Sequence, residues 1–384
     1  MERIIKTIKA IKPADEQAIE SATVRQAMLA KPPGSLGGLE EISIKMAGIT
    51  GTVCNRVDKT CVAVFCADNG VVAEGVASAP QTVTMAQTIN FTKRLTGVGA
   101  LAEAFGSELL IVDMGVKYPI PRKLYDQIPL RDTHKIIDRR LRTELGETWN
   151  IAREDAMTKA EAIEAICTGI EMADAIADNG YELMGIGEMG IGNTTTSAAL
   201  LSAITGLDSE ETVGRGGGVN DEGFERKKEI VDFASERFRV AGGILQAAID
   251  QRFDLMIEAL ARMGGFDICA MAGAFLGASA RRIPVVIDGY ISATAALVAY
   301  VMEPKVKDYM IPSHESYERG YAKAMEILGL KPFLSLEMRL GEGSGCPIAF
   351  QIIKGACDVM TNMATFDEAR IDDDYLEEVR SEEK

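Results

Sequence analysis

CVAVFCADNG, residues 61–70, is an uninterrupted apolar run that ends in two polar residues and a glycine. Its β-branched and aromatic residues predict a strand, and because no alternate position is polar, that strand is buried on both faces. Similar runs recur at ELLIVDMGV (108–116), YELMGIGEMG (181–190) and IPVVIDGY (283–290). These runs predict a mostly parallel sheet whose strands end in polar or glycine residues.

Long helical patterns separate the predicted strands. The clearest is EDAMTKAEAIEAICTGIEMADAIADNG (154–180), in which apolar residues recur every three or four positions. Strands that alternate with helices predict an α/β fold with helices on both faces of the sheet. In such folds the functional groups collect beyond the carboxyl ends of the strands, where the strand order reverses.

The two ends of the chain have helical periodicity and no clear buried strand. We therefore predict a large sheet domain over residues 30–310 and a small helical domain formed by residues 1–29 together with 311–366. The final segment, residues 367–384, is strongly acidic and is predicted to be a solvated helix or tail.

Composition excludes several classes of protein. The chain has 384 residues, 47% of them hydrophobic, and a formal charge of −16, which argues against nucleic acid as a partner. No run approaches 18 apolar residues and the amphipathic start does not resemble a signal peptide, so we expect a cytoplasmic protein that does not bind membranes. The seven cysteines form no CxxC pair, and we expect them to be buried free thiols.

The most informative stretch is GIGEMGIGNTTTSAALLSAITG, residues 185–206. A strand runs into a glycine-rich turn, and Asn193 and Thr194 stand where a helix would begin, as capping residues do. A helix start with free N–H groups predicts a pocket for a nucleotide or sugar phosphate. The letters also match the dinucleotide fingerprint GxGxxG, so an NAD-dependent oxidoreductase is an alternative, although Glu188 would repel a diphosphate.

A second glycine-rich loop, VGRGGGVNDEGFERKKEIV (213–231), leads into a helix that carries Lys227 and Lys228. Its glycines could bring amide donors close to an anion while a lysine adds positive charge. The alternative is a flexible surface loop with solvated lysines.

Acid–base chemistry is expected to fall to carboxylates. The only histidines are His134 and His314, and the sequence has neither a serine–histidine–aspartate pattern nor HExxH. We expect His314 to be structural or to support another residue. Glu188 and Glu342, the latter in MRLGEGSGCP (338–347), are the acids that lie within glycine-rich loops. A tight turn with an exposed acid is the alternative for Glu342.

Together these motifs resemble the nicotinate-nucleotide:dimethylbenzimidazole phosphoribosyltransferase family, over residues 25–366. The motifs that carry the resemblance occur in the family's order and are KPPGSLGGLE, CADNGVVAEGV followed by APQTVT, GIGEMGIGNTTTSAAL, GGFDICAMAGAFLGA, PVVIDGYISATAAL, IPSHESYERG and RLGEGSG.

The resemblance implies a Rossmann-like sheet domain, a small domain formed from both termini, and a homodimer whose partner helps to close the pocket. It also implies transfer of phosphoribose from nicotinate mononucleotide to a benzimidazole-type base, giving α-ribazole 5′-phosphate for the nucleotide loop of cobalamin. Glu342 is implied as the general base, with Glu188 as a second catalytic acid. Residues predicted to bind the phosphoribosyl or nicotinate groups are Gly190, Gly192, Asn193, Thr194, Gly216, Gly217, Lys227 and Asp288; those predicted to form the base pocket are Ser78, Ala79, Gln87 and Leu340.

The chemistry of this reaction fits the residue types. The ring nitrogen of nicotinate mononucleotide is a pyridinium, so nicotinate can leave without a metal, and we expect neither a metal nor a cofactor. Two positions depart from the family pattern: Asn69 stands where many members have histidine, and Ala79 where a serine is expected, with Ser78 adjacent. The natural base is open among benzimidazole, a substituted relative, adenine and a phenol. A catalytically silent subunit is a further alternative.

Overall fold

The computed structural model describes residues 1–372 and 374. Most of the predicted acidic tail, at residue 373 and residues 375–384, lies outside the described residues. The strands are β1 Thr60–Ala67, β2 Glu108–Gly115, β3 Tyr125–Asp126, β4 Ile136–Asp138, β5 Leu183–Met189, β6 Val285–Ile287 and β7 Met310–Pro312. The α-helices are α1 Glu2–Ala10, α2 Glu16–Met28, α3 Gly38–Thr50, α4 Thr82–Phe91, α5 Gly97–Phe105, α6 Lys159–Asp178, α7 Asn193–Thr205, α8 Ser209–Thr212, α9 Asp221–Glu236, α10 Ile249–Met263, α11 Phe266–Ala280, α12 Tyr290–Met302, α13 Arg319–Leu328, α14 Gly345–Asn362 and α15 Phe366–Ala369.

The described strands form one parallel sheet in the order β3-β4-β2-β1-β5-β6-β7. The predicted α/β fold is therefore confirmed, and its four apolar runs are strands β1, β2, β5 and β6. Every residue of β1 is buried, which explains its lack of polar alternation. β1 and β5 lie side by side at the centre, with Cys66 level with Met189.

The short strands at the edges of the sheet were not predicted from the sequence. β3, β4 and β7 span two or three residues each, too few to produce a periodic pattern. The expectation of no strand beyond residue 310 is wrong, because Met310–Pro312 pairs with β6.

Helix α14 connects the C-terminal part of the chain to the sheet. It packs on β1, β5 and β6. Gly185 of β5 permits this approach, because a Cβ there would lie 2.6 Å from the Cβ of Cys346. The loop that precedes α14 is consequently held against the carboxyl end of β5.

The N-terminal and C-terminal segments meet. Ala18 and Ala22 of α2, Ala47 of α3 and Met360 of α14 form a small apolar cluster separate from the main core. α3 also packs on α14, and Leu29 forms a β-bridge with Thr365. The division into two domains stays a prediction.

The seven cysteines, all of them among the described residues, are unpaired, as expected. Five are buried, Cys167 is half-buried, and Cys54 is exposed, so the expectation of burial is wrong for Cys54.

No helix in the described part of the chain combines the length and apolar character needed to cross a membrane.

Candidate active site

The strand order reverses between β1 and β5. From β1 the chain moves to β2 on one side of the sheet and later returns to β5 on the other. A cavity of about 320 Å³ lies beyond the carboxyl ends of these strands. This is the position at which open α/β sheets bind their ligands.

Most of the residues predicted to act in the site line this one cavity. They come from segments far apart in the chain and are Ser78, Ala79, Gln87, Glu188, Gly190, Gly192, Asn193, Thr194, Gly216, Gly217, Asp288, Leu340 and Glu342. Of the predicted site residues, Lys227 does not line it.

Glu342 lies in a left-handed stretch of backbone. Gly341, Glu342 and Gly343 have φ values of +83°, +65° and +85°. A non-glycine residue in this region costs about 1–2 kcal/mol, so neighbouring contacts must hold it there. Gly187 of β5 allows the loop to approach, because a Cβ at that position would lie 2.4 Å from the carbonyl oxygen of Glu342.

The Glu342 carboxylate is buried at the N-terminus of α5. Its Oε1 accepts a hydrogen bond from the Gln87 amide at 3.1 Å, and its Oε2 accepts from the Val98 N–H at 3.3 Å. Burial raises the pKa of Glu342, while the N–H groups of Val98 and Gly97 and the Gln87 amide partly oppose that rise. The alternative of an exposed acid is wrong, because Glu342 is only 3% exposed.

Glu188 lies against the Glu342 loop in a more acidic environment. Its carboxyl accepts hydrogen bonds from the Asn193 amide and from the Glu342 N–H. The same Asn193 amide donates to Asp267 at 3.0 Å. Burial first, and then the charge of Asp267, raise the pKa of Glu188 to about 8. Glu188 is therefore mostly protonated at neutral pH.

The first glycine-rich loop differs from its predicted geometry in one respect. Gly192, with φ +95°, is the N-cap of α7 and Asn193 is its first helical residue. The expectation that Asn193 caps the helix is wrong, because its side chain connects Glu188 to Asp267 instead. The helix begins after the glycines, so the GIGEMG stretch does not have the geometry of the dinucleotide fingerprint.

The second glycine-rich loop forms the opposite wall. The Ser78 hydroxyl donates to the Gly217 carbonyl at 3.1 Å, which connects this loop to the predicted base pocket. Behind the loop, the Lys227 ammonium donates to Thr194 Oγ1 at 3.1 Å and to the Gly214 carbonyl at 2.9 Å. Lys227 is 1% exposed, and burial lowers its pKa to about 8. The Lys227 ammonium therefore lies behind the cavity wall, bonded to Thr194, which lines the cavity.

Asp288 follows β6 and contacts the loop of Glu342. Its Oδ2 accepts from the Gly343 N–H at 3.1 Å and its Oδ1 from the Gly345 N–H at 2.7 Å. Burial raises its pKa to about 7 although these N–H groups favour the charged form.

His314 also lines the cavity. Its Nδ1 pairs with the Ser313 hydroxyl at 2.9 Å, and burial lowers its pKa to about 4. The imidazole is therefore neutral at physiological pH.

Four charged groups of the site were not predicted from the sequence. Arg215, Glu318 and Arg339 line the cavity, and the Glu318 carboxylate accepts from the Gly216 N–H. Asp267 lies behind it, bonded to Asn193. All four belong to motifs quoted from the sequence. The partners of Asp267 and Glu318, which are Asn193 and Gly216, lie too far along the chain for any spacing rule to identify them.

Fold and site together define an α/β enzyme with buried acids and glycine-rich loops around a cavity at the switch point. A family model described as Phosphoribosyltransferase matches residues 11–371. The chain belongs to this phosphoribosyltransferase family.

Curated relatives and solved structures agree with this assignment. The chain is 46% identical over 376 residues to nicotinate-nucleotide–dimethylbenzimidazole phosphoribosyltransferase of Clostridium perfringens (strain 13 / Type A), covering 98% of this chain and 97% of the relative. It is 45% identical to the protein of that name from Acetivibrio thermocellus, covering 96% and 98%. The crystal structure of CobT from Thermus thermophilus superposes with a TM-score of 0.83 at 35% identity, covering 93% of this chain and 99% of that one.

Proposed function

We propose that this phosphoribosyltransferase moves the phosphoribosyl group of nicotinate mononucleotide to a nitrogen of a benzimidazole-type base. The products are α-ribazole 5′-phosphate, for the nucleotide loop of cobalamin, and nicotinate. The observation that carries the proposal is Glu342, a buried carboxylate with a raised pKa, on the same cavity as two glycine-rich loops. The names of the relatives support the choice of donor and acceptor.

The proposed step balances with no group beyond the two substrates and the chain. One azole nitrogen attacks C1′ of the ribose with its lone pair as the bond from C1′ to the pyridinium nitrogen breaks. The electron pair of that bond stays on nicotinate and neutralises its ring nitrogen. The proton on the other azole nitrogen passes to Glu342, whose raised pKa suits a general base near neutral pH.

The two glycine-rich loops are proposed to hold the 5′-phosphate. Gly190, Gly192 and Gly216 line the cavity, and glycine backbone lets N–H groups approach an anion closely. Lys227, directly behind Thr194, supplies positive charge at this end. The residues that would bind the phosphoribosyl group thus lie on the wall made by α7 and the second glycine-rich loop.

The base is proposed to bind between Ala79, Leu340 and Gln87. Ala79 and Leu340 are apolar, and the nearby Ser78 hydroxyl already donates to Gly217. This wall favours a flat, largely apolar heterocycle over a base that needs several hydrogen bonds. Benzimidazoles therefore fit better than adenine.

A homodimer in a cytoplasmic setting is also proposed. Leu95 and Leu340 are 69% and 61% exposed, and Leu340 lies at the cavity. Exposed apolar side chains at the rim of a cavity are suited to contact with a second subunit. Sedimentation at micromolar concentration should give twice the chain mass; a monomer would contradict this part.

The function is tested by incubating the purified chain with nicotinate mononucleotide and 5,6-dimethylbenzimidazole and separating the products by chromatography. We expect nicotinate release that requires the base and matches the ribazole phosphate formed. Omitting the base is the control. Absence of both products would favour a silent subunit, and fluorescence changes on titration with NADH would favour the oxidoreductase alternative.

A further inference from the structure

Asp288 has both carboxylate oxygens committed to the loop that carries Glu342. They accept the N–H groups of Gly343 and Gly345, at 3.1 and 2.7 Å. Gly343 directly follows Glu342, so Asp288 is one peptide unit from the acid. The residue is 2% exposed.

Among the described residues, no lysine or arginine forms an ion pair with Asp288. The nearest basic atom described is His314 Nδ1, 3.9 Å from Oδ1, and burial keeps that imidazole neutral. A buried carboxylate without a cation is costly unless N–H donors compensate it. The loop N–H groups are those donors, so the loop and Asp288 stabilise each other.

The N–H groups in turn need an acceptor from outside the loop. Gly345 begins α14, whose N-cap Ser344 makes no side-chain capping bond. The N–H groups of Ser344 and Cys346 donate within the segment, to the carbonyls of Gly341 and Gly343 at 3.0 Å each. The N–H groups of Gly343 and Gly345 donate to Asp288 instead. Asp288, from the end of β6, supplies the missing acceptor and attaches the loop to the sheet.

We propose that Asp288 is a positioning residue that orients Glu342 through the N–H of Gly343, rather than a group whose main contact is the phosphoribosyl moiety. This inference rests on the proposed function of Glu342 as general base. Four contacts then hold the acid: Asp288 on the backbone after it, Glu188 on its own N–H, and both Gln87 and the Val98 N–H on its carboxylate.

The test compares Asp288→Asn with a matched control, Asp113→Asn. Asp113 is also a buried aspartate near the end of a parallel strand and accepts two backbone N–H groups, of Gly115 and Val116, but it does not line the cavity. Asp113 differs in also accepting from the Tyr125 hydroxyl and in lying 3.9 Å from Arg140. The variant and its control make the same chemical change at a buried aspartate near a strand end, one at the loop of Glu342 and one away from it.

For Asp288→Asn we expect kcat to fall roughly 10- to 100-fold, the scale of a small misplacement of a catalytic group. KM for nicotinate mononucleotide should stay within about twofold, because a positioning residue does not bind it directly. Asp113→Asn should lose stability while retaining kcat.

A raised KM with unchanged kcat would overturn the proposal in favour of a substrate contact. An unchanged kcat would overturn it as well. Hydrogen–deuterium exchange of the segment 338–350 without substrate provides a readout that does not depend on the reaction: Asp288→Asn should speed exchange there and Asp113→Asn should not. If wild type released no nicotinate, the proposed function would fail while this exchange result still tested the anchor.

Asp288→Ser is the second variant, because serine removes the charge without placing an NH2 group against the loop N–H groups. It should reproduce the fall in kcat and the faster exchange. Failure of both variants to fold, with Asp113→Asn folded, would contradict the proposal, because a residue that orients one loop is not needed to form the sheet.

Discussion

Glu188 and Glu342 are buried glutamates in touching segments, yet they have opposite surroundings. Glu342 lies at the N-terminus of α5, where two N–H groups and the Gln87 amide favour its charged form. Glu188 shares the Asn193 amide with Asp267, whose charge disfavours ionisation. Burial is common to both, so the neighbours decide which acid can be a carboxylate near neutral pH.

This difference assigns different roles to the two acids. A general base must be ionised before it takes a proton. The N–H donors around Glu342 favour its ionised form. Glu188, with a pKa of about 8, is mostly a neutral acid at pH 7 that supports the loop through the Glu342 N–H. Substitutions at the two acids should therefore have unequal effects.

Replacing Glu342 with glutamine should have the largest effect on the rate. The amide keeps the size of the side chain and can still pair with Gln87, but it cannot take a proton, so kcat should fall roughly 10²- to 10⁴-fold. Steady-state nicotinate release measures this. Glu315→Gln, an exposed glutamate outside the cavity, is the control and should match wild type. Activity of the Glu342 variant near that of wild type would remove the base assignment.

Replacing Glu188 with glutamine should cost less, at most about tenfold in kcat at pH 7. Glutamine resembles the protonated acid, and its carbonyl can still accept from Asn193 and from the Glu342 N–H. The same assay measures it. A loss as large as that of Glu342→Gln would mean that Glu188 acts as a carboxylate, and the contrast between the acids would be wrong.

The smallest effect concerns stability against pH. Folding raises the pKa of Glu188 from 4.5 to about 8, so between these values the folded state binds more protons than the unfolded state. The resulting stabilisation is complete below about pH 4.5 and is lost as the pH rises through 8. The free energy of unfolding of wild type, from urea titrations, should therefore fall more steeply over this range than that of Glu188→Gln. Equal pH dependence of the two free energies would mean that folding does not raise the pKa of Glu188.

The central strands and the main site acids were predictable because their signals are local. A continuous apolar run requires burial on both faces. An acid flanked by glycines, as Glu342 is, can be recognised from the sequence alone. The prediction that Lys227 lies on a helix after the second glycine-rich loop is confirmed. Its position behind the cavity wall was not predicted.

The rest depends on contacts between distant segments. Asp288 accepts from residues 55 and 57 positions further along the chain, and Asp267 shares an amide with Glu188 through Asn193, 74 positions earlier. No periodicity or motif encodes such pairings. The pKa of Glu188 follows from one of them, so its protonation at neutral pH could not be predicted from the sequence.

The claim that Glu342 removes the azole proton is tested most directly with a series of benzimidazoles whose ring substituents change the acidity of the N–H. Single-turnover rates should be measured for wild type and Glu342→Gln with each base at saturation. If Glu342 is the base, the loss in the variant should be largest for the least acidic azole and should shrink steadily as the N–H becomes more acidic. An equal loss for every base would contradict this account.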